Sequence, residues 1–245
     1  MDSCPYAELH CLSNFTFLRG ASHPGELIIR AVELGYRALA ITDECSLAGV
    51  VQAHRAAKDK NIKLIIGSEF HLKEGLRLVL LATNRVSYGA LSRLITNARN
   101  SSEKGTYSLT RSELESWVPT GCIALWPATL ESSAEEGFWL KKLFEEQSWI
   151  AVELHQMADD AIKMDHLTTL SRQTGLPLVA SGDVHMHQRN RRPLQDTLTA
   201  IRLGKPLSEL GHALFSNGER HLRPRSILAN LYPLALLAET VRITE

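Results

Sequence analysis

The sequence lacks the features of a membrane or secreted protein. No apolar run among the 245 residues approaches the ~20 that a membrane-spanning helix needs. The N-terminal segment MDSCPYAELH has no basic stretch followed by an apolar one, so no signal peptide is indicated. Cysteine is scarce, and the 4 cysteines form no CxxC pair and no dense framework. A reduced, cytoplasmic compartment without a membrane partner is therefore expected.

The chain also lacks an excess of charge of either sign, because it has 27 Lys and Arg residues and 27 Asp and Glu residues. A protein that binds nucleic acid mainly through phosphates needs a basic surface, so strong autonomous binding to duplex DNA is not indicated. Two local arginine clusters are interpreted as solvated surface. They comprise Arg189, Arg191 and Arg192, and Arg220, Arg223 and Arg225.

Motifs of several reaction classes are missing as well. The sequence has no GxSxG elbow, no GxxxxGK[ST] loop and no glycine-rich dinucleotide fingerprint after its first strand. Cys122 has no base beside it in the sequence, which favours a buried, inert thiol over a nucleophile. If Cys122 is not inert, its place on the fifth strand makes metal binding the better alternative.

What the sequence does contain is an alternation of short apolar runs with helical segments. The 44% hydrophobic content is typical of a chain with a packed core. Seven β/α units predict one α/β domain whose mainly parallel sheet closes into a barrel. The segment after Pro206 has no such rhythm. The predicted strands cover residues 6–10, 38–42, 63–66, 76–82, 122–126, 149–154 and 178–181.

Polar residues fall at the carboxyl ends of these strands, where parallel β/α folds place their sites. Imidazole and carboxylate groups are ligands for Zn²⁺, Mn²⁺ or Fe²⁺. Taken singly, each residue could equally be a surface or capping residue. Together they indicate a present or ancestral metal site. The residues are His10, Asp43, Glu44, Glu69, His155, Asp183 and His185.

Five segments carry a family resemblance: YAELHCLSNFTFLRGAS, ALAITDECSLAGVVQAH, LIIGSEF, LVLLATN and SGDVHMH. They resemble the N-terminal PHP (polymerase and histidinol phosphatase) domain of bacterial C-family DNA polymerases, which are related to the polymerase III alpha subunit. The residues of the first two segments are most similar to those of the error-prone, translesion branch of this family. The resemblance implies a distorted seven-stranded (β/α)7 barrel, with residues 1–210 as the PHP domain. Residues 211–245 would then be an extension leading towards a polymerase region.

The complete site of this family binds up to three metals and supports phosphoester hydrolysis. Six of its nine ligand positions hold residues that could bind metal here, although the histidine expected after the TD dipeptide is replaced by Glu44. The second histidine of the opening HxH motif falls on Leu12, the aspartate before a glycine on Arg19, and the histidine that opens the fourth strand on Arg77. The six matching positions are His10, Glu44, Glu69, Cys122, Asp183 and His185.

Leu12, Arg19 and Arg77 argue against a working metal cluster. A fixed cation opposes a divalent ion electrostatically, and it can pair with the carboxylates in the ion's place. We therefore expect a salt-bridged relic that holds at most one Zn²⁺ or Mn²⁺, with ligands drawn from His10, Glu69, Asp183 and His185.

The resemblance implies a non-catalytic, structural role within an error-prone DNA polymerase. The whole enzyme would be a Mg²⁺-dependent nucleotidyltransferase that copies DNA past lesions in DNA repair. Its partners would be the polymerase region, DNA and accessory mutagenesis proteins. One alternative is an active metal-dependent 3′–5′ exonuclease or phosphoesterase. Another is a free-standing phosphatase similar to histidinol phosphatase.

Overall fold

The computed structural model describes residues 4–245, which form a seven-stranded sheet in sequential order. Each strand pairs with the next along the chain, as expected for a barrel built from successive β/α units. The strands are β1 (Ala7–Glu8), β2 (Ala38–Ile41), β3 (Lys63–His71), β4 (Arg77–Ala82), β5 (Cys122–Trp126), β6 (Ser148–Glu153) and β7 (Leu178–Ser181).

Strand β4 runs antiparallel to both of its neighbours, whereas the other four pairings are parallel. A tight turn joins β3 to β4, with Leu72 N donating to the Leu76 carbonyl at 2.8 Å. Gly75 has a φ of 89°, which a residue with a side chain rarely adopts. This turn leaves no room for a crossover helix, so the chain reverses. As a result Arg77, the first residue of β4, lies at the edge where β3 ends.

The barrel has two apolar clusters, one inside the ring of strands and one between the strands and the helices. One consists almost entirely of strand residues and fills the interior, with Leu9, Ile65 and Leu81 among them. The other joins the opposite strand faces to the helices. The helices are α1 (Pro24–Glu33), α2 (Val50–Ala57), α3 (Arg85–Asn100), α4 (Arg111–Ser116), α5 (Ala134–Phe144), α6 (Asp160–Thr174), α7 (Arg192–Leu203), α8 (Arg225–Leu231) and α9 (Leu234–Thr244).

The seam between β1 and β7 is closed differently at its two ends. At the carboxyl end, Leu12 N donates to the Val184 carbonyl at 2.8 Å. At the amino end, the Thr240 hydroxyl of α9 accepts a 3.0 Å hydrogen bond from Ala7 N, and Ile243 packs against the interior cluster. The barrel predicted from the sequence is thus confirmed. Helices α8 and α9 pack on it, and a domain boundary after residue 210 stays a prediction.

Within residues 4–245, no helix combines the length and apolar character needed to cross a bilayer.

Candidate functional site

The carboxyl edge of the barrel, which we call the rim, places charged side chains on top of the apolar interior. Glu69 lies four residues after the interior residue Ile65 on β3, and Glu153 lies two residues after Ala151 on β6. Alternate residues of a strand face the same way, so these carboxylates continue the interior face. Both are almost fully buried.

His10 lies at the centre of the rim and is fully buried. Its Nε2 is 2.7 Å from Glu69 Oε2, and its Nδ1 is 2.8 Å from Glu153 Oε1. Burial alone would lower the pKa of His10, but the hydrogen bonds to Glu153 and Glu69 outweigh it and raise that pKa. Its imidazolium therefore bridges two carboxylates, with a proton on each nitrogen.

Arg19 and Arg77 both enter the cluster. Arg19 Nη1 donates to Glu44 and, at 2.8 Å, to Glu69. Arg77 donates to Glu153 through Nη2 and to Asp183 through Nη1, the latter at 3.1 Å. Each arginine thus joins carboxylates from two different segments.

These cations hold the buried carboxylates in their charged form. Burial would raise the pKa of Glu69, but its hydrogen bonds to His10 and His71 and the charge of Arg19 lower it well below its usual value. The pKa of Glu153 is also lowered against the effect of burial, chiefly by the charge of Arg77 and the hydrogen bond to His10. Glu69 and Glu153 are therefore ionised at neutral pH.

Asp183 follows β7 with a φ of 43°, a strained value for a residue with a side chain. Its Oδ2 accepts hydrogen bonds from Arg77 and Arg220, and its Oδ1 lies 3.1 Å from His185 Nε2. Burial and the charge of Arg19 lower the pKa of His185 to about 3, so this imidazole is neutral. His185 packs edge-on against the Phe215 ring, with the centroids 5.1 Å apart.

Arg220 corrects the interpretation of its arginine cluster as solvated surface. Its guanidinium lies 4.3 Å from the centroid of the Phe215 ring and pairs with Asp183. Burial is the main cause that lowers the pKa of Arg220 to about 10. Arg223 is also buried and donates to the Leu154 carbonyl at 3.0 Å. Neither residue was expected at the site, because both lie far along the chain from the strand ends.

Two further members of the cluster were missed from the sequence. Glu153 is the lone charged residue in the apolar strand β6, and that isolation was an available signal. His71 follows Glu69 by two residues on β3, and its Nε2 lies 2.7 Å from Glu69 Oε1. By contrast His155, which the sequence suggested, lies 2.9 Å from the Gly182 carbonyl through its Nε2 and does not join the cluster.

Asp43, which the sequence suggested as a metal-site or capping residue, has a different role. Its carboxylate accepts hydrogen bonds from Ser13 N at 2.8 Å and from the Thr16 hydroxyl at 2.7 Å. It therefore organises the loop that carries Arg19. Glu44, the next residue, reaches the edge of the cluster and accepts a 2.9 Å hydrogen bond from the Tyr107 hydroxyl.

Cys122 lies apart from the rim. It is the first residue of β5 and pairs with Ala82, at the end of β4 farthest from Arg77. Its Sγ contacts the Ser87 carbonyl at 3.6 Å, and burial raises the pKa of this thiol to about 12. Cys122, which the resemblance suggested as a metal ligand, therefore lies a strand's length away from the rim. Leu12 is fully buried and offers no ligand atom.

The donor set has the spacing of a metal site, but protons and arginines already occupy it. Ligand atoms of His10, Glu69 and Asp183 lie within 4.8 Å of one another, as do those of Glu44, Glu69 and His71. Yet His10 has no lone pair to offer while both its nitrogens are protonated. The four carboxylates already face three arginines and the His10 imidazolium. A divalent ion would have to displace one of these cations.

Comparison with known proteins gives the family. The model of the PHP domain matches residues 8–177. An error-prone DNA polymerase of Methylococcus capsulatus is 58% identical over 240 residues, which are 98% of this chain and 23% of that protein. Its counterpart in Dechloromonas aromatica is 58% identical over 242 residues, 97% of this chain and 24% of that protein. The chain thus spans about a quarter of the length of these relatives.

Solved structures agree on the fold. A protein of Bifidobacterium adolescentis assigned as a metal-dependent phosphoesterase superposes with a TM-score of 0.56 at 14% identity, covering 74% of this chain and 88% of the other. An amidohydrolase of Chromobacterium violaceum gives 0.55 at 17% identity, covering 74% and 87%. The resemblance expected from the sequence is confirmed, and the chain belongs to the PHP domain family, in the form that error-prone DNA polymerases carry.

Proposed function

We propose that this chain is a non-catalytic PHP domain of an error-prone DNA polymerase, in which ion pairs at the rim have replaced a metal cluster. The whole enzyme would copy damaged DNA in the cytoplasm, using Mg²⁺ in its polymerase region. The domain would support that region and offer a surface to accessory proteins. The share of each relative that the chain covers supports the polymerase region as its partner.

One observation carries this proposal: each of the eight oxygens on Glu44, Glu69, Glu153 and Asp183 has a hydrogen-bonding partner. Buried carboxylates are costly unless they are paired in this way. Phosphoester hydrolysis by this family needs a metal-activated water, which requires open positions on a bound metal. The arginines instead bind one oxygen of each carboxylate, and a metal would need these oxygens as ligands.

Metal analysis of the purified chain after mild chelation tests the proposal. We expect well under one equivalent of Zn²⁺ or Mn²⁺, whereas three tightly held equivalents would refute it. The variant Leu12→His/Arg19→Asp/Arg77→His restores the family's residues at these three positions and serves as the matched comparison. It should gain metal that the wild type does not hold.

An active metal-dependent 3′–5′ exonuclease or phosphoesterase is the second candidate. The spacing of His10, Glu69 and Asp183 supports it, because one ion could bind there once His10 loses a proton. An exonuclease assay with added Mn²⁺ or Zn²⁺ should compare the wild type with Asp183→Ala. We expect no activity from either protein. Wild-type activity that the substitution abolishes would establish this candidate instead.

A further inference from the structure

Helix α7 has its polar side turned towards the barrel and its apolar side turned away. Its buried residues are Gln195 and Thr199, whereas Leu194 and Ile201 are exposed and Leu198 is half-buried. Positions 194, 198 and 201 lie on one face, because residues three and four apart are neighbours on a helix. A surface helix normally buries such an apolar stripe against the core. The core of the barrel therefore does not account for this stripe.

The charged rim accounts for the polar side of α7. Gln195 lines the pocket at the rim together with Arg220. Arg192, the first residue of α7, donates through Nε to Asp196 at 2.6 Å and through Nη2 to the Phe215 carbonyl. A helix that borders charged groups needs polar side chains on that side, since buried polar groups need hydrogen-bonding partners. The apolar residues are thus left on the opposite side.

A second apolar group lies beside α7, in the loop that follows β1. Phe17 of this loop is 82% exposed. Together with Leu18 it lines a groove of about 250 Å³, whose lining also includes Leu194 and Leu198. We call Phe17, Leu18, Leu194, Leu198 and Ile201 the α7 face. Contiguous apolar surface of this kind marks an interaction site, whereas single exposed apolar residues need no explanation.

The loop holds Phe17 in a fixed position. The Thr16 hydroxyl donates to Asp43 at 2.7 Å. Ala21 N donates to the His185 carbonyl at 2.7 Å, which joins the loop to the segment after β7. The exposure of Phe17 therefore belongs to an ordered turn. An aromatic side chain that is held in place before binding loses little conformational entropy when a partner covers it.

We propose that the α7 face packs against the polymerase region of the whole enzyme, an inference that rests on the function proposed above. The chain covers about a quarter of the length of its relatives, so about three quarters of such a polypeptide lies outside it. Domains of one polypeptide commonly share interfaces of about 600–1,500 Å². Apolar side chains that one domain leaves exposed are the natural contact points of such an interface.

A second copy of the chain fits the α7 face less well. Arg202 belongs to α7 and Lys205 follows it, and both are exposed. The single carboxylate of α7, Asp196, already binds Arg192 at 2.6 Å. Two copies of α7 packed side by side would therefore bring cations together without a free carboxylate to offset them. The matching surface of the polymerase region should instead present apolar side chains flanked by carboxylates.

The test compares hydrogen exchange of α7 in the isolated 245-residue chain and in the full-length polymerase that contains it. We expect the amides of α7 to exchange slower by about tenfold or more in the full-length protein, because a covered helix opens less often. Equal rates in the two proteins would overturn the proposal.

Two triple variants show whether this protection comes from the α7 face. The surface variant is Phe17→Ser/Leu194→Ser/Ile201→Ser. The matched control replaces the same three residue types at exposed positions elsewhere, and it is Phe138→Ser/Leu130→Ser/Ile162→Ser. In the isolated chain each variant should shift the melting temperature by less than about 4 °C, because the altered side chains are exposed.

Each variant is then measured in both proteins, so that any local effect on α7 itself cancels in the ratio of the two exchange rates. The surface variant should bring this ratio close to one, and the control should keep the wild-type ratio. A ratio that survives in the surface variant, or that is lost equally in both variants, would overturn the proposal.

Sedimentation equilibrium of the isolated chain tests the other occupant. We expect a monomer. A dimer that the surface variant dissociates would assign the α7 face to a second copy and overturn the proposal.

Primer extension by the same full-length preparation separates this inference from the proposed function. A protein that extends no primer but protects α7 would contradict the proposed function and support the interface. An active polymerase with an unprotected α7 would contradict the interface alone.

Discussion

The two ends of the barrel handle charge in opposite ways. At the rim, four carboxylates and four cations are clustered on top of the apolar interior and paired with one another. At the base, the interior is apolar up to Ile243, and charged residues such as Arg37 and Lys60 are exposed at the surface. Burying charge makes each partner necessary to the others, whereas exposed charge remains available to a ligand. The rim is thus suited to holding the barrel together.

Acid should produce the largest effect and should act mainly at the rim, where the carboxylates with lowered pKa values are buried. The folded-state pKa values of Glu69 and Glu153 are lowered, so the stability they contribute is present above the unfolded value of about 4.3. It is lost as pH falls through the folded pKa values, because the unfolded chain then binds more protons. His10, whose pKa is raised, contributes in the other direction: its share is full below about 6.5 and is lost as pH rises through the raised value.

Chemical denaturation at a series of pH values measures both effects as the free energy of unfolding. We expect a maximum near neutral pH and a steep decline below about pH 4.5. A flat profile across that acid range would show that the carboxylates of the rim are not held ionised by their partners.

Removing one rim cation should have the next largest effect. Arg77→Leu leaves Glu153 and Asp183 with fewer partners in a buried setting, and it should lower the free energy of unfolding by about 3–5 kcal/mol. The control is Arg242→Leu, which breaks the exposed pair with Glu239 and should cost no more than about 1 kcal/mol. Similar costs for the two variants would remove the distinction between the ends of the barrel.

A cavity at the base should cost less and should be insensitive to pH. Leu81 is buried in the interior cluster and borders an open pocket at the base. Leu81→Ala should therefore lower the free energy of unfolding by about 2 kcal/mol, near the low end for such substitutions. Its pH profile should run parallel to that of the wild type, and a deficit that varied with pH would show that the two ends are coupled.

The sequence predicted the place of a residue well where that place depends only on the strand that carries it. The approximate positions of all seven strands, and the placing of His10 and Asp183 just beyond strand ends, follow from apolar periodicity. Strand β3 differs, because it continues past the predicted residue 66 to His71 and so contains Glu69. The reversal of β4 could not be found in this way, because a strand has the same pattern in either direction. Arg220 was equally hidden, since its contact with Asp183 spans 37 residues and leaves no local signal.

Helix α9 also sets the order in which the barrel can be completed. Its Thr240 bonds to Ala7 across a separation of 233 residues, at the seam between the first and last strands. Contacts of such long range are slow to form, because the loop between them must close first. During synthesis the first strand therefore waits, without its partner at this seam, until α9 has emerged from the ribosome.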